Sequence, residues 1–414
     1  MKKLVLFILA GCILLPLGAD PTSSQNHPLN PAFLATGNRG ILEFGLGANV
    51  GAQNSYFNLG MLSDQNPIID LNLLATEIGP NGFRLLANAT VGPHLTLHLG
   101  PLGVGGFLST EVFTFNKIGQ DFFQIMAQGI NLGTTSGTAE NTATAYIKTG
   151  LYGSWEMSNW TFAGKLAYTL PLVSAESTAS FTYTADASGA ISYNAVLNTT
   201  AYTIIPLTPG NTFDTTNSGS LISKAISNGG LVVDVGAVYV DPKTKRPLFG
   251  GALNNIPLSA IKASRAITYN GGASWSGTNV VANKDIPGYF DPIITKPTIN
   301  VSESDKLIFI PMSATGFFRF PILGPLEVVP EVEMVLWSPF RLNWGITGEV
   351  NFLRVLDFTL GLENKNYMWG TSVGVGVNLW LVEVDFQFKA QGPEPGDIFK
   401  TKGLSAGLFV ALGI

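Results

Sequence analysis

The sequence predicts an all-β fold, a transmembrane antiparallel β-barrel of about 14 strands, within a range of about 12 to 16, because bacterial barrels have even strand numbers. Charged residues make up only 12% of the chain, against about 25% in soluble domains, and the mean hydropathy is +0.27. Yet beyond the N-terminal segment no apolar run approaches the roughly 20 residues that a spanning helix needs. Apolar residues instead alternate with small or polar ones along most of the chain.

The alternation has period two and lasts about ten residues per segment, the length with which a tilted strand crosses a bilayer. In WTFAGKLAYTL one face is apolar and aromatic and the other is small or polar, and AYIKTGLYGSWEM, NWGITGEVNF and WLVEVDFQFKA repeat the pattern. The predicted strands lie near 41–50, 83–92, 94–115 (a hairpin), 144–157, 160–170, 178–197, 231–240, 247–256, 307–320, 325–337, 342–353, 355–364, 367–378, 380–390 and 403–413.

A lipid-anchored soluble β-sandwich is an alternative, since its strands also alternate apolar and polar residues. Two features favour the barrel. Aromatic residues near the segment ends resemble an interfacial girdle, namely Trp160, Trp337, Trp344, Trp369 and Trp380. Short turns also contrast with long polar connections near 116–143, 198–229 and 270–306, as tight periplasmic turns contrast with long external loops in outer-membrane barrels.

The first residues form an export signal, which predicts a signal peptide over residues 1–19. Lys2 and Lys3 supply the basic start, an apolar run follows, and cleavage is expected after Ala19. The only cysteine, Cys12, is the last residue of the stretch LAGC. In a lipoprotein this cysteine would be acylated. The sequence that follows, CILLPLGAD, is apolar where lipoproteins carry a polar tether, and this favours cleavage after Ala19.

Catalytic, metal and cofactor motifs are not apparent, so we expect a protein that is not an enzyme and needs no cofactor. His94 and His98 share a face in HLTLH but lack a third metal ligand. The stretch GLGANVG at 45–51 lacks the lysine and the helix of a phosphate-binding loop. A net charge of −5 without a basic cluster gives nucleic-acid binding little support.

Charges within the predicted strands fall opposite the apolar faces. A charge on the lipid face costs about 2–4 kcal/mol at the bilayer midplane, so these side chains are expected in the lumen. There they either pair with one another or hold the polar group of an amphipathic substrate. The residues are Arg84, Lys148, Lys165, Arg319, Glu327, Glu331, Glu333, Glu383 and Asp385.

Two stretches resemble the long-chain fatty acid transporter (FadL-like) superfamily of outer-membrane barrels. The first is LNPAFLATGNRGILEFGLGANVG, with Asn30, Pro31 and Ala32 just before the first strand. The second is GGLVVDVGAVYV followed by LFGGALNNIPLS, in which the matching positions are Asp234, Gly236, Ala237, Tyr239, Gly251, Leu253 and Asn254. The resemblance implies that residues 20–40 form a short N-terminal hatch inside a barrel of residues 41–414. It also implies that hydrophobic compounds leave through a gap in the wall.

The expected function is uptake of hydrophobic small molecules, such as long-chain fatty acids, across the outer membrane of a diderm bacterium. The expected partners are the hydrophobic substrate, outer-membrane lipid and the barrel assembly machinery. A nonspecific porin and a surface-exposed structural or adhesin barrel are alternatives. A lumen blocked by residues 20–40 would favour the transporter, whereas charged rings around an open channel would favour the porin.

The signal sequence gives a first prediction. Mass spectrometry of the purified mature protein should find an unmodified N-terminus at Asp20, because an apolar belt holds a barrel in the bilayer without a lipid anchor. A mature chain that begins with acylated Cys12 would contradict this and favour the lipoprotein alternative.

Overall fold

The computed structural model describes most of the chain downstream of the N-terminal segment. The described residues are 30–33, 41–58, 60–61, 70–79, 82–128, 132–204, 219, 223, 226–243, 246–278, 293–323, 325–336, 340–352, 355–366, 368–379 and 382–413. The predicted signal peptide, residues 20–29 and 34–40 of the predicted hatch, Trp337 and Trp380 lie outside them.

The described chain is built of β-strands with two short helices and one 3₁₀ helix. The strands are β1 Leu42–Asn54, β2 Phe83–Leu99, β3 Leu102–Ile118, β4 Gly133–Met157, β5 Trp160–Ala185, β6 Ile191–Thr203, β7 Gly230–Val240, β8 Pro247–Pro257, β9 Ile261–Gly277, β10 Ile293–Ile308, β11 Ser313–Phe318, β12 Phe320–Leu323, β13 Leu326–Val335, β14 Arg341–Phe352, β15 Leu356–Lys365, β16 Met368–Leu379, β17 Val382–Gly392 and β18 Gly403–Gly413. The helices are α1 Leu71–Ile78 and α2 Gln120–Gln128, and the 3₁₀ helix spans Pro395–Lys400. None of the described helices is long and apolar enough to cross a membrane.

The sheet closes on itself as an antiparallel barrel of 14 strands. Neighbours pair in the order β1, β2, β3, β4, β5, β7, β8, β11, β13, β14, β15, β16, β17, β18. The ring is completed by β1 and β18, which pair from Glu43 opposite Gly413 to Gln53 opposite Gly403. Closure leaves the ring without an open edge, which a sheet in hydrocarbon requires.

Three of the 14 barrel strands are interrupted, so the wall has a second tier. β5 pairs with β7 over Trp160–Thr169 and then with β6 over Val173–Ala185. In that second tier β6 pairs with β9, and β9 pairs with β10. Each strand of the upper tier is next in sequence to the lower strand that continues it. The upper β6 precedes β7, the upper β9 follows β8, and the upper β10 precedes β11 and β12. The breaks lie side by side in one part of the wall.

The two ends of the barrel differ. At one end, called here the tight-turn end, strands join through short connections such as 100–101, 158–159 and 241–246. The opposite end, called here the loop end, carries the connections 55–82, 119–132 and 393–402, although 186–190 and 366–367 are short. β1 begins and β18 finishes at the tight-turn end, as their antiparallel register requires. The asymmetry matches the expected contrast between periplasmic turns and external loops.

Alternate residues of each strand point to opposite sides of the wall. On β5, Ala163 and Ala167 are buried, whereas Phe162 and Leu166, the residues just before each of them, are exposed. On β1, the buried Glu43 alternates with the exposed Leu42 and Phe44. Apolar side chains therefore cover the outside of the barrel and polar or small ones face the lumen, which is the pattern of a barrel held in lipid.

Aromatic rings collect on the outer surface near both ends. At the tight-turn end, Tyr239 and Phe249 stack with ring centroids 5.0 Å apart, and Trp160 meets each of them edge-on at 5.4 Å. At the loop end, Trp344 and Trp369 meet edge-on at 5.4 Å. These described residues lie where an interfacial girdle is expected.

Several predicted boundaries are wrong. The predicted segments 83–92 and 94–115 divide differently, because β2 runs on to Leu99 and the turn lies at 100–101. The segment 178–197 contains the turn 186–190 between β5 and β6. The connections predicted near 116–143, 198–229 and 270–306 contain strand: β4 begins at Gly133, β6 ends at Thr203, and β9 and β10 occupy much of the third. The strand parts missed in these three connections lie in the upper tier or at the loop end, beyond the length that lipid covers, where alternation is not required.

The alternation on β15 gives a second prediction. Leu360 is 64% exposed on the outer face, so Leu360→Lys should destabilise the folded barrel by about 2–4 kcal/mol, the cost of a cation near the bilayer midplane. The apolar control Leu360→Phe should lie close to wild type. Both are measured by reversible denaturant unfolding in lipid vesicles, and an equal effect of the two variants would contradict a lipid-facing β15.

Candidate functional site

The N-terminal residues 30–33 sit inside the barrel against its inner wall. The side-chain Nδ2 of Asn30 donates to the carbonyl oxygens of Ala237 and Gly251, at 3.4 and 3.3 Å. Asn30 Oδ1 accepts from the backbone N–H of Ala32 at 3.0 Å. The aromatic ring of Phe33 lies 5.2 Å from that of Phe317. The segment is thus anchored to β7, β8 and β11 at once.

An apolar cluster surrounds this segment, and its members come from four strands of the wall, β5, β7, β11 and β13, and from the N-terminal turn. They are Ala32, Phe33, Ala163, Val238, Phe317 and Val329, with Val240 packed against them. Ala32 and Phe33 are almost fully buried. The cluster therefore packs the N-terminal turn against β5 and β7 near the tight-turn end.

The residues of the second sequence motif build the seat for residues 30–33. A side chain on Gly236 would clash with Asn30 Oδ1, so glycine is needed there for the close approach of the two segments. Asp234 Oδ1 accepts the backbone N–H of Asn255 at 2.7 Å. Asn255 has φ of +58° and lies in a bulge of β8 opposite Asp234, so this carboxylate fixes the bulge.

A second apolar cluster lies on the lumen side at the level of the wall breaks. It consists of Ala167, Val232 and Ile261, with Phe107, Ile308 and Ile310 packed against them. Ile261 begins β9, Ile308 ends β10, and Ile310 lies between β10 and β11. The residues that flank the breaks therefore belong to one packed apolar cluster, called here the apolar surface, in which Ala167, Val232 and Ile261 are buried.

The predicted charges Lys148 and Lys165 lie beside this surface, and the structure brings them together with two carboxylates. Lys148 Nζ lies 3.1 Å from Glu111 Oε1 and 3.0 Å from Asn255 Oδ1. Lys165 Nζ lies 3.5 Å from Asp234 Oδ2 and 4.2 Å from the ring centre of Phe107. Glu111, Lys148, Lys165 and Asp234 are called the Lys148 cluster.

Arg319 and Glu327 belong to a second group near the tight-turn end, called the Arg319 cluster, with Arg246, Glu349 and Asp357. Arg319 and Arg246 each donate to Glu327 Oε2 at 2.6 Å. Arg319 also contacts Glu349, and Arg246 lies 3.2 Å from Glu349 and 3.8 Å from Asp357. Arg319 interrupts the strand between β11 and β12 and its Nε donates to the carbonyl of Pro247 at 2.9 Å.

A third group, the Glu363 cluster, contains the predicted Glu331 together with Glu363, Lys365 and Lys389. Lys365 lies 2.8 Å from Glu331 and 3.3 Å from Glu363, and Lys389 lies 3.0 Å from Glu363. All four side chains come from the wall of β13, β15 and β17.

The remaining predicted charges stand outside these groups. Glu333 accepts from Asn343 Nδ2 at 2.8 Å, and Glu383 is buried on β17 two residues from Asp385. The backbone N–H of Arg84 donates to Ser55 Oγ at the loop end. Among the described residues, no three His, Cys, Asp or Glu side chains are grouped as metal ligands.

The sequence prediction missed most of the partners in these clusters, although strand alternation puts several of them on the inner face as well. They are Glu111, Asp234, Arg246, Glu349, Asp357, Glu363, Lys365 and Lys389. Counting every charge with inner-face parity would have found those within strands. Arg246 lies in the 241–246 turn and carries no such signal.

No protein-family model and no curated protein matches the sequence. Several solved outer-membrane structures match along almost the whole chain. The monoaromatic hydrocarbon channel TodX, in its deltaS2S3 mutant form, is 11% identical over 97% of both chains with a TM-score of 0.48. The toluene transporter TbuX of Ralstonia pickettii is 11% identical over 95% of both chains, with a TM-score of 0.46.

A FadL homologue of Pseudomonas aeruginosa is also similar, with 10% identity over 95% of this chain and 93% of its own, and a TM-score of 0.41. The superfamily that the sequence resembles is thus represented among the similar structures.

The seat of residues 30–33 gives a third prediction. In an Ala32→Cys variant the thiol is buried and, after signal cleavage at Ala19, unique, so maleimide labelling should be slow. Adding Gly236→Ala should accelerate labelling at least about tenfold, since the new Cβ clashes with Asn30. If the contact of residues 30–33 with the wall is weakened by about 1.4 kcal/mol, the population of the detached state rises tenfold. Adding Gly47→Ala is the control, because a Cβ there makes only ordinary contacts. Equal labelling rates in the two double variants would contradict the seat.

Proposed function

We propose that this chain is a FadL-like outer-membrane channel of a diderm bacterium that takes up hydrophobic small molecules, a class that includes long-chain fatty acids. The observation that carries the proposal is the apolar surface of Phe107, Val232, Ile261 and their neighbours, which lies at the interrupted strands. The chain performs no covalent chemistry in this proposal. Its partners are the substrate, outer-membrane lipid and the barrel assembly machinery.

In this proposal residues 20–40 act as the hatch, and Asn30, Pro31 and Ala32 are its anchor. The burial of Ala32 and Phe33 inside the barrel supports this role. The hatch obstructs the straight path to the tight-turn end, which is the periplasmic end here. The substrate therefore leaves sideways, through the part of the wall where β5 changes partner from β7 to β6.

A lateral exit suits a hydrophobic cargo for an energetic reason. Each methylene that stays out of water saves about 0.8 kcal/mol, so a path from the apolar surface directly into lipid avoids the cost of crossing water. A nonspecific porin needs an open water-filled lumen instead, and the buried N-terminal turn disfavours it.

One observation favours the surface-display alternative as an additional role. β4 and β5 have 25 and 26 residues, whereas about 9–11 residues cross a bilayer. With β6, β9 and β10 they form a sheet that extends well beyond the membrane on the loop side. A lipid-anchored soluble sandwich, by contrast, disagrees with the closed ring.

The decisive test compares permeation by hydrophobic and hydrophilic solutes. Cells with an intact outer membrane that express this chain should take up the fluorescent probe N-phenyl-1-naphthylamine and labelled hexadecan-1-ol faster than cells with an empty vector. Liposomes containing the purified barrel should not swell in arabinose. Free arabinose passage without faster uptake of either hydrophobic probe would overturn the proposal in favour of a porin.

A variant links uptake to the apolar surface and gives a fourth prediction. Val232 is 1% exposed and faces the lumen. The variant Val232→Asn should lower the rate of N-phenyl-1-naphthylamine uptake about tenfold, because it places a polar amide in the path, and desolvating that amide costs about 2 kcal/mol. Val235→Asn, on the outer face of the same strand, is the control and should keep the wild-type rate per folded barrel. Equal loss in both variants would mean that the path lies elsewhere.

A further inference from the structure

The lumenal cations are already neutralised by the protein itself. Each lysine and arginine of the Lys148, Arg319 and Glu363 clusters lies within 3.5 Å of a carboxylate. Arg319 and Glu349 are both almost fully buried, and Lys148 is 6% exposed. The cations that could otherwise hold an anionic ligand are thus occupied.

The cost of an anionic ligand follows from these pairs. A ligand carboxylate beside Lys148 or Lys165 would have to displace Glu111 or Asp234, and would leave that carboxylate without its cation in a poorly hydrated site. Leaving one partner of a buried pair uncompensated is strongly unfavourable. Without displacement, the ligand's own charge is buried next to fixed negative charge, which is also unfavourable.

Uncharged ligands meet no such obstacle at the same place. The apolar surface of Phe107, Val232 and Ile261 adjoins the Lys148 cluster, because Lys165 lies over the ring of Phe107. A neutral polar group is also available on this wall: Asn254 is 4% exposed, and neither Nδ2 nor Oδ1 has a hydrogen-bond partner. Asn254 can donate to or accept from a hydroxyl or carbonyl group.

We propose that the lumen selects uncharged hydrophobic molecules, such as hydrocarbons and alcohols, against the carboxylates of the same chain length. Glu111 and Asp234 are the specificity-determining residues, because they occupy the two lysines that would otherwise attract an anion. This inference rests on the proposed uptake of hydrophobic molecules and narrows it, because it ranks long-chain fatty acids below uncharged molecules of the same chain length.

The test uses octan-1-ol and octanoate, which share a chain length and differ in charge at pH 8. The full-length mature barrel is held in lipid nanodiscs, and binding is measured by calorimetry with empty nanodiscs subtracted. Wild type should bind octanol at least about tenfold more tightly than octanoate, and this preference is the wild-type discrimination.

The variant Glu111→Gln frees Lys148 and should raise octanoate affinity at least about tenfold, with octanol affinity unchanged. The matched control Glu111→Gln/Lys148→Gln removes both charges and should restore the wild-type discrimination. Asp234→Asn with its control Asp234→Asn/Lys165→Gln repeats the experiment on the second pair. Heat-modifiable gel migration checks that each variant is folded. If the variants of one pair, Glu111 with Lys148 or Asp234 with Lys165, do not fold, the variants of the other pair decide the result.

Two results would overturn the inference alone: equal wild-type affinity for octanol and octanoate, or no gain of octanoate binding in either single variant. Wild type that binds neither ligand would overturn the uptake function and the inference with it. A gain that persists in the double variants would show that charge release at the lysines is not its cause, and would also overturn the inference.

Discussion

The whole architecture depends on the requirement that every backbone N–H and C=O group in hydrocarbon be paired. A sheet meets this requirement only when its first and last strands join, as β1 and β18 do along their full lengths. Once the ring closes, each strand has one face toward lipid and one toward the lumen. Side-chain alternation then decides which residues face lipid and which face the lumen. Charged side chains, which are costly on the lipid face, must therefore point into the lumen.

The charged side chains that point into the lumen form ion pairs with one another. Charges that cannot face lipid collect inside, where the dielectric constant is low and unpaired charge is costly. The three clusters join residues far apart in sequence, such as Lys148 with Asn255 and Arg246 with Glu349. In the proposed selection of uncharged molecules, the pairs that neutralise the lumenal charges also determine what the lumen binds, because cations held by carboxylates attract no anion.

The interrupted strands relate the fold to transport. A barrel of uninterrupted strands has no lateral path, since each wall strand is sealed to both neighbours. Here the change of partner along β5 and the bulge at Asn255 divide one part of the wall into two tiers. The N-terminal turn is seated on the lower tier of the same part, at Gly236 and Gly251. The anchor of residues 30–33 and the discontinuity of the wall thus lie side by side.

Sequence alone determined the strand number, the faces of the membrane-spanning strands and the two motif segments. It could do so because lipid imposes alternation residue by residue, so the signal is local. It missed β10 and much of the upper tier, where water lies on both sides and alternation is not required. The partner of each charge, the seat of Asn30 on Gly236 and the alignment of the wall breaks were decided by tertiary structure. Each depends on which distant strands become neighbours when the ring closes, and no local pattern encodes that.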